Sequence, residues 1–284
     1  RGEPSALSRM GDSCRRILFS LDARLDYWDA RLHRLGEKWG VPQAWLTDFK
    51  KFLNDPRLTM EEFWVKYTLY RMKAQPKMRK VETEAQALKF YRSSPYGLWR
   101  QVVHRRHSAW RTVLRTMRRP DGLLVEFGGG IGSVISWVQR RKRDWRYVLI
   151  DVPSKHYEYG LWRSEAEYGW PYESADVITA FDVFEHLQAP VAEAERMRAH
   201  LAPGGYLHWN FIAHASRGDL DLATPAQREK TVAYLRSELR TVWEVPGHII
   251  GVKPDQAPRG HARPASHTPP RTSASQDAIA ETGG

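Results

Sequence analysis

Leu123-Leu-Val-Glu-Phe-Gly-Gly-Gly-Ile-Gly132 decides how this 284-residue chain folds. An apolar strand runs into an acid, Glu126, and then into a turn with glycines at 128, 130 and 132 and a fourth at 129. Glycine takes the positive-φ conformations that a tight strand-to-helix turn needs, and its missing Cβ lets other atoms approach the backbone. Dinucleotide-binding turns use similar glycines beneath a pyrophosphate that rests on helix N–H groups. A carboxylate two residues before the first glycine would repel a pyrophosphate. Glu126 suits a ligand with a cationic end instead.

The chain beyond the turn tests that reading. Residues 133–140 predict a helix, and Arg146-Tyr-Val-Leu-Ile-Asp151 predicts a second apolar strand closed by a carboxylate, at the spacing of one βαβ unit. An acid about twenty residues past such glycines accepts hydrogen bonds from ribose hydroxyls, which makes Asp151 the candidate ribose ligand. A third strand is predicted over 175–182 and is followed by Val183-Phe-Glu-His-Leu187. Residues 201–211 predict a helix end, a Pro203-Gly-Gly205 turn and a fourth strand.

Together, Glu126-x-Gly-x-Gly-x-Gly132, Asp151, the block Phe181-Asp-Val-Phe-Glu-His-Leu187 and Leu201-x-Pro-Gly-Gly205 resemble the class I S-adenosylmethionine-dependent methyltransferases over about residues 121–253. The resemblance implies an α/β fold: a Rossmann-like sheet, mostly parallel with an antiparallel last strand, preceded here by an N-terminal all-helical domain. It implies S-adenosylmethionine as cofactor. Its cationic ammonium and sulfonium match the demand already read from Glu126. The glycines at 128, 129, 130 and 132 are then expected under the methionine part, Glu126 near its amino group and Asp151 at the ribose, with Val152 and Phe181 as further cofactor contacts. The segment 152–175 is short for this family, which leaves the adenine contacts to Val152, Trp170 or Tyr172, unless these residues serve only core packing.

Upstream, Leu18, Leu21, Leu25, Trp28, Leu32, Leu35 and Trp39 alternate spacings of three and four and predict an amphipathic helix. Further helices are predicted after Pro42, after a Thr59/Glu62 capping box, over 81–92, and from Ser94-Pro95 to about Met117. Helices in this position commonly cover the cofactor cleft in the resembling family, so Tyr96, Trp99, His104 and His107 are candidates to line a substrate pocket. A helix from Thr224-Pro225 and a hairpin about Pro246-Gly247 close the fold. The expected organisation is a flexible N-terminus over 1–14, a basic helical domain capping the substrate over 15–120, a cofactor-binding domain over 121–253, and a disordered Pro/Ser/Thr/Ala-rich tail over 254–284.

Composition narrows the function classes. No run of apolar residues is long enough for a membrane helix and no secretory segment is evident, so a cytoplasmic protein without a membrane partner is expected. One cysteine, Cys14, excludes an intramolecular disulfide framework. Residues 1–120 hold 26 Lys+Arg against 12 Asp+Glu, so the whole basic surplus belongs to the helical part. That surplus keeps nucleic acid open as a partner, although an arginine-rich solvated surface is the favoured explanation.

Methyl transfer is an in-line displacement, so positioning and exclusion of water do much of the work. The block after the third strand lies at the carboxyl end of the sheet, where ligands bind in such folds. Asp182 and His186 are the candidate catalytic residues, His186 as a general base for a hydroxyl. Asp182, Glu185 and His186 also echo a metal-binding pattern to which His208 or His214 could contribute, but no resident metal is expected. The expected acceptor is an oxygen or nitrogen of a small molecule such as a natural product, sugar or quinone-like compound. Methylation of RNA or protein, a binding protein without turnover, and a nicotinamide oxidoreductase stay open on sequence alone. Ser133 stands where the last class wants a third glycine.

Overall fold

The structure, a computed structural model, describes residues 44–103, 109–171, 173–211 and 220–255. The amphipathic stripe at 18–39, His104, His107, Tyr172, His214 and the tail beyond Asp255 lie outside these residues.

Seven strands form one sheet in the order β3-β2-β1-β4-β5-β7-β6. They are β1 (Gly122–Phe127), β2 (Trp145–Ile150), β3 (Glu167–Tyr168), β4 (Ala175–Ala180), β5 (Leu201–Trp209), β6 (Arg240–Val245) and β7 (His248–Val252). Strand β7 is antiparallel to both neighbours, and the pairs from β3 across to β5 are parallel. Side chains alternate faces along each strand, so both faces of this sheet must be covered. Leu123 and Val125 face α8 (Pro190–His200) and α9 (Pro225–Glu238), packing with Met197 and Leu235. Leu124, Leu149 and Val177 face α5 (Trp110–Thr116) and α6 (Ile135–Val138), packing with Val113 and Ile135.

The cap consists of α1 (Ala44–Leu53), α2 (Met60–Met78), α3 (Glu84–Ser93) and α4 (Pro95–Val103). Thr59 and Glu62 satisfy each other's backbone N–H groups at the start of α2, the reciprocal pattern their spacing predicts. Thr83 with Gln86 does the same for α3. Phe49, Phe63, Leu98 and Trp99 form a core that reaches Ile131 of the glycine turn and Tyr159 of α7 (Lys155–Ser164). Hydrophobic packing thereby seats the cap directly on the turn.

Several boundaries differ from expectation for local reasons. Of the single helix expected from Pro95 to Met117, the structure describes α4 and α5, and residues 104–108 between them lie outside the described residues. Helix α6 is only four residues long, because the turn that precedes it continues through Val134. Pro203-Gly204-Gly205 is not a turn between helix and strand: α8 ends at His200 and β5 begins at Leu201, so these residues sit inside β5, where its pairing with β4 shifts register. Among the described residues, no helix is long and apolar enough to cross a membrane.

Candidate active site

The site begins where β1 ends. Glu126 is buried, and its two carboxylate oxygens accept the backbone N–H groups of Val134 (3.0 Å) and Ile135 (2.8 Å). A negative group at these N–H groups is favoured by the helix dipole as well as by the bonds. Burial nevertheless pushes this carboxyl up to about 7, with the two backbone bonds pulling the other way. The glycine turn winds past it with φ of +65° at Gly128, +53° at Gly130 and +64° at Gly132. All three lie in the left-handed region that a residue with Cβ avoids.

Asp151 follows β2, and its carboxylate ties the two turns together. One oxygen accepts Gly130 N at 2.7 Å and the other accepts Val152 N at 2.6 Å. The buried His156 comes within 3.6 Å of the same carboxylate. An ionised carboxyl has about four acceptor positions, so two backbone bonds leave capacity for a ligand's hydroxyls.

Residues of the cap and the third loop crowd the glycines more than the sequence implies. Gln101 of α4 reaches over the turn, and its Oε1 accepts Ile131 N at 3.0 Å. A Cβ on Gly130 would collide with the Gln101 carboxamide, and one on Gly128 would collide with the Val183 side chain. At these two positions the missing Cβ thus makes room for protein atoms.

After β4 the chain turns sharply. Asp182 adopts φ +54°, unusual for a residue with a side chain. Asn210, just past β5, holds it there: Asp182 N donates to Asn210 Oδ1 and Asn210 Nδ2 donates to Asp182 Oδ1, both at 2.7 Å. His186 follows in a short 3-10 turn, Phe184–His186. Its Nδ1 lies 3.0 Å from the Leu220 carbonyl and 3.5 Å from Asp221, which is itself paired with Arg228 at 3.0 Å. A carbonyl oxygen only accepts, so Nδ1 carries the proton and Nε2 is the basic nitrogen of the neutral ring. Glu185 between them is fully buried, and burial, with Asp182 and Asp221 adding negative charge, pushes it up to about 8.

One cavity of about 710 Å³ joins these parts. Glu126, Gly128, Gly129, Asp151, Val152, Phe181, Asp182 and His186 all line it, together with cap residues from α3 and α4. Gly130 and Gly132 are not among its lining residues; Gly130 sits behind, bonded to Asp151. Trp170 lines the far end, packed on Phe127 (centroids 5.6 Å apart) and beneath the Arg196 guanidinium at 5.1 Å. Tyr96 also lines the cavity, whereas Trp99 is buried in the cap core.

His208, a candidate ligand or base by sequence, points elsewhere. It is fully buried, with Nε2 2.9 Å from Thr116 Oγ1 and Nδ1 3.1 Å from His248 Nε2. Thr116 Oγ1 donates its one proton to Val113, so it accepts from His208 Nε2, and His208 Nδ1 accepts from His248. Burial and the neighbouring His248 hold His208 well below its ordinary pKa, so it stays neutral. In sheet register, His208 stands beside Thr179 and Thr179 beside Glu126. The Thr179 hydroxyl, at the cavity wall, finds no hydrogen-bond partner among the described residues. Among those residues no cluster of three His, Cys, Asp or Glu could hold a metal.

A family model described as a methyltransferase domain matches residues 100–243, from the end of α4 to within β6. The chain belongs to this family, the class I S-adenosylmethionine-dependent methyltransferases. No curated protein sequence matches this methyltransferase. Among solved structures it is similar to an O-methyltransferase family protein from Burkholderia thailandensis, with 10% identity and a TM-score of 0.48 over 69% of this chain and 72% of that one. It is also similar to human N-acetylserotonin methyltransferase in complex with S-adenosylmethionine, with 15% identity and a TM-score of 0.44 over 68% and 66% of the two chains. An amino pentose methyltransferase from Micromonospora echinaspora, solved with S-adenosylmethionine bound, is similar at 16% identity and a TM-score of 0.41 over 55% and 96%. The site fits the cofactor on its own terms: the methyltransferase has acceptor capacity at Asp151, a buried acid behind the turn, and a cavity in the upper part of the ~300–1,000 Å³ range of small-molecule sites.

Gln101, His156, Asn210 and Asp221 are site residues that the motifs do not announce. Asn210 alone carries a sequence signal, since it ends a predicted strand at the carboxyl edge of the sheet. The others come into place only through tertiary packing.

Proposed function

We propose that this enzyme transfers a methyl group from S-adenosylmethionine to an oxygen or nitrogen of a small-molecule acceptor in the cavity between the glycine turn and the cap. The observation that carries this reading is the single cavity of about 710 Å³ that runs from Asp151 past Asp182 and His186 to the cap helices. It has room for the cofactor and a modest acceptor together. Walls from α3 and α4 give it the form of a pocket that suits a small molecule.

Each lining residue takes a role in this reading. Asp151 accepts the ribose hydroxyls with its remaining lone pairs. Glu126 fixes the turn through Val134 and Ile135 and provides negative charge behind the methionine end. Gly128 and Gly129 form the floor, while Val152, Phe181 and Trp170 pack around the adenine. Bound S-adenosylmethionine supplies an electrophilic methyl on a sulfonium. Asp182, locked by Asn210, orients the acceptor, and His186 takes its proton at Nε2. The cap excludes water, which would otherwise compete for the methyl. The helical region 15–120 acts as the acceptor-binding part, and the enzyme works in the cytoplasm.

Purified full-length enzyme with radiolabelled S-adenosylmethionine and a size-fractionated extract tests the reading. Label is expected in the small-molecule fraction and not in RNA or protein. Label confined to the macromolecular fraction would replace it with the alternative that the basic helices raise.

A further inference from the structure

We infer that the acceptor is an apolar, ring-bearing hydroxyl compound, an arenol or hydroxyquinone, and not a sugar. This rests on the methyl-transfer reading above and specifies the substrate class of the same cavity. Helix α3 carries Glu84, Ala87, Leu88 and Tyr91 at spacings of three and four, so they share one face, and that face lines the cavity. Such a face normally packs against another element; here the space in front of it is the cavity itself. Met78 and Tyr96 extend the same wall, and Leu220 continues it beside His186, to whose Nδ1 its carbonyl is bonded. Glu84 is exposed and thus stands at the rim, not in the wall.

Met78, Ala87, Leu88 and Leu220 bring only apolar side chains to this wall, and its polar groups are the hydroxyls of Tyr91 and Tyr96 and, from α4, Arg100 and Gln101. A pyranose placed against the Met78, Ala87, Leu88 and Leu220 surface would lose hydration at the hydroxyls that face it without replacement, which disfavours binding at each one. A flat ring system would be favoured by the apolar area it removes from water and by edge or offset contacts with Tyr91 and Tyr96. A ring lying on this wall brings a hydroxyl substituent toward Asp182 and His186 at the inner end. There the acceptor oxygen forms the new O–CH3 bond as the S–CH3 bond breaks. Sulfur keeps the bonding pair and becomes a neutral thioether, and the hydroxyl proton passes to His186 Nε2 and on to solvent.

The test is calorimetry on the full chain saturated with S-adenosylhomocysteine, titrated separately with 2-naphthol and methyl α-glucopyranoside. Naphthol is expected to bind at least about tenfold more tightly than the glycoside. Leu88→Gln should weaken naphthol by about tenfold or more while leaving S-adenosylhomocysteine affinity within about twofold. Equal or tighter binding of the glycoside, no binding of naphthol, or unchanged naphthol affinity in the Leu88 variant overturns the proposal while the cofactor reading stands. Failure of wild-type protein to take up S-adenosylhomocysteine overturns both.

Discussion

The carboxamide of Gln101 fills the space that a side chain on Gly130 would need, and its oxygen is bonded to the next backbone N–H, that of Ile131. The cap and the glycine turn are thereby one mechanical unit. A change in the turn is felt by α4, and the reverse.

This relationship ranks the turn glycines. At Gly128 a new Cβ meets Val183, whose branched side chain is buried and stiff at χ1, so Gly128→Ala should be the most damaging. At Gly130 it meets the end of a long side chain, which can swing aside if the Ile131 bond is given up. At Gly132 the nearest atom is 3.4 Å away, so alanine there suffers mainly from its left-handed φ, about 1–2 kcal/mol. Urea denaturation of the three variants should follow that order. In a double-mutant cycle, Gln101→Ala should relieve part of the Gly130→Ala cost, and purely additive losses would contradict the contact.

Stability should fall as pH rises through the neutral range. Glu126 and Glu185 are held at about 7 and about 8 in the fold, above the ordinary carboxyl value of 4.5. Between those values the folded protein binds more protons than the unfolded chain, so their contribution is complete below about pH 4 and is lost as each group ionises. The loss is up to about 3 kcal/mol for the fully buried Glu126. Melting temperature measured from pH 5 to 9 should decline. Glu185→Gln should flatten the upper part of that decline, and an unchanged profile in the variant would reassign it.

Asp182 keeps its strained backbone through Asn210, so the pair should behave as one unit in turnover. Asn210→Ala leaves the Asp182 N–H without this acceptor, at a cost of about 1–3 kcal/mol. With Asp182 in the role proposed for it, kcat/KM for the acceptor should drop by about ten- to hundredfold, while S-adenosylhomocysteine affinity changes little. His186→Gln should lower kcat by about 10²–10⁴-fold near neutral pH and by less at high pH, where an acidic hydroxyl ionises unaided. A kcat–pH profile separates this from a structural role for His186, which would lower activity equally at every pH.

Much of this architecture was legible in the chain because it is local. The strand-turn-acid pattern at 123–132 and the hairpin at Pro246-Gly247 are short-range signals, and the Thr59/Glu62 capping box is completed within four residues. The misplaced features depend on distant partners. Pro203-Gly-Gly205 looks like punctuation, yet β5 runs through it, with Gly204 N donating to the Lys253 carbonyl and Lys253 N to that of Gly205. Gln101 comes to the cavity from α4 and His156 from α7, and only tertiary packing brings them beside the glycine turn and Asp151. His208 shows the reverse case, a strand-end histidine that is fully engaged behind the sheet.

The central claim is that the Asp151 end of the cavity holds the adenosyl donor, and calorimetric titration of S-adenosylhomocysteine into wild-type protein and Asp151→Ala tests it most directly. Saturable binding to wild type is expected, weakened in the variant by about 1–3 kcal/mol, or roughly ten- to hundredfold. Absence of binding to wild type, or the same affinity in both proteins, would contradict it.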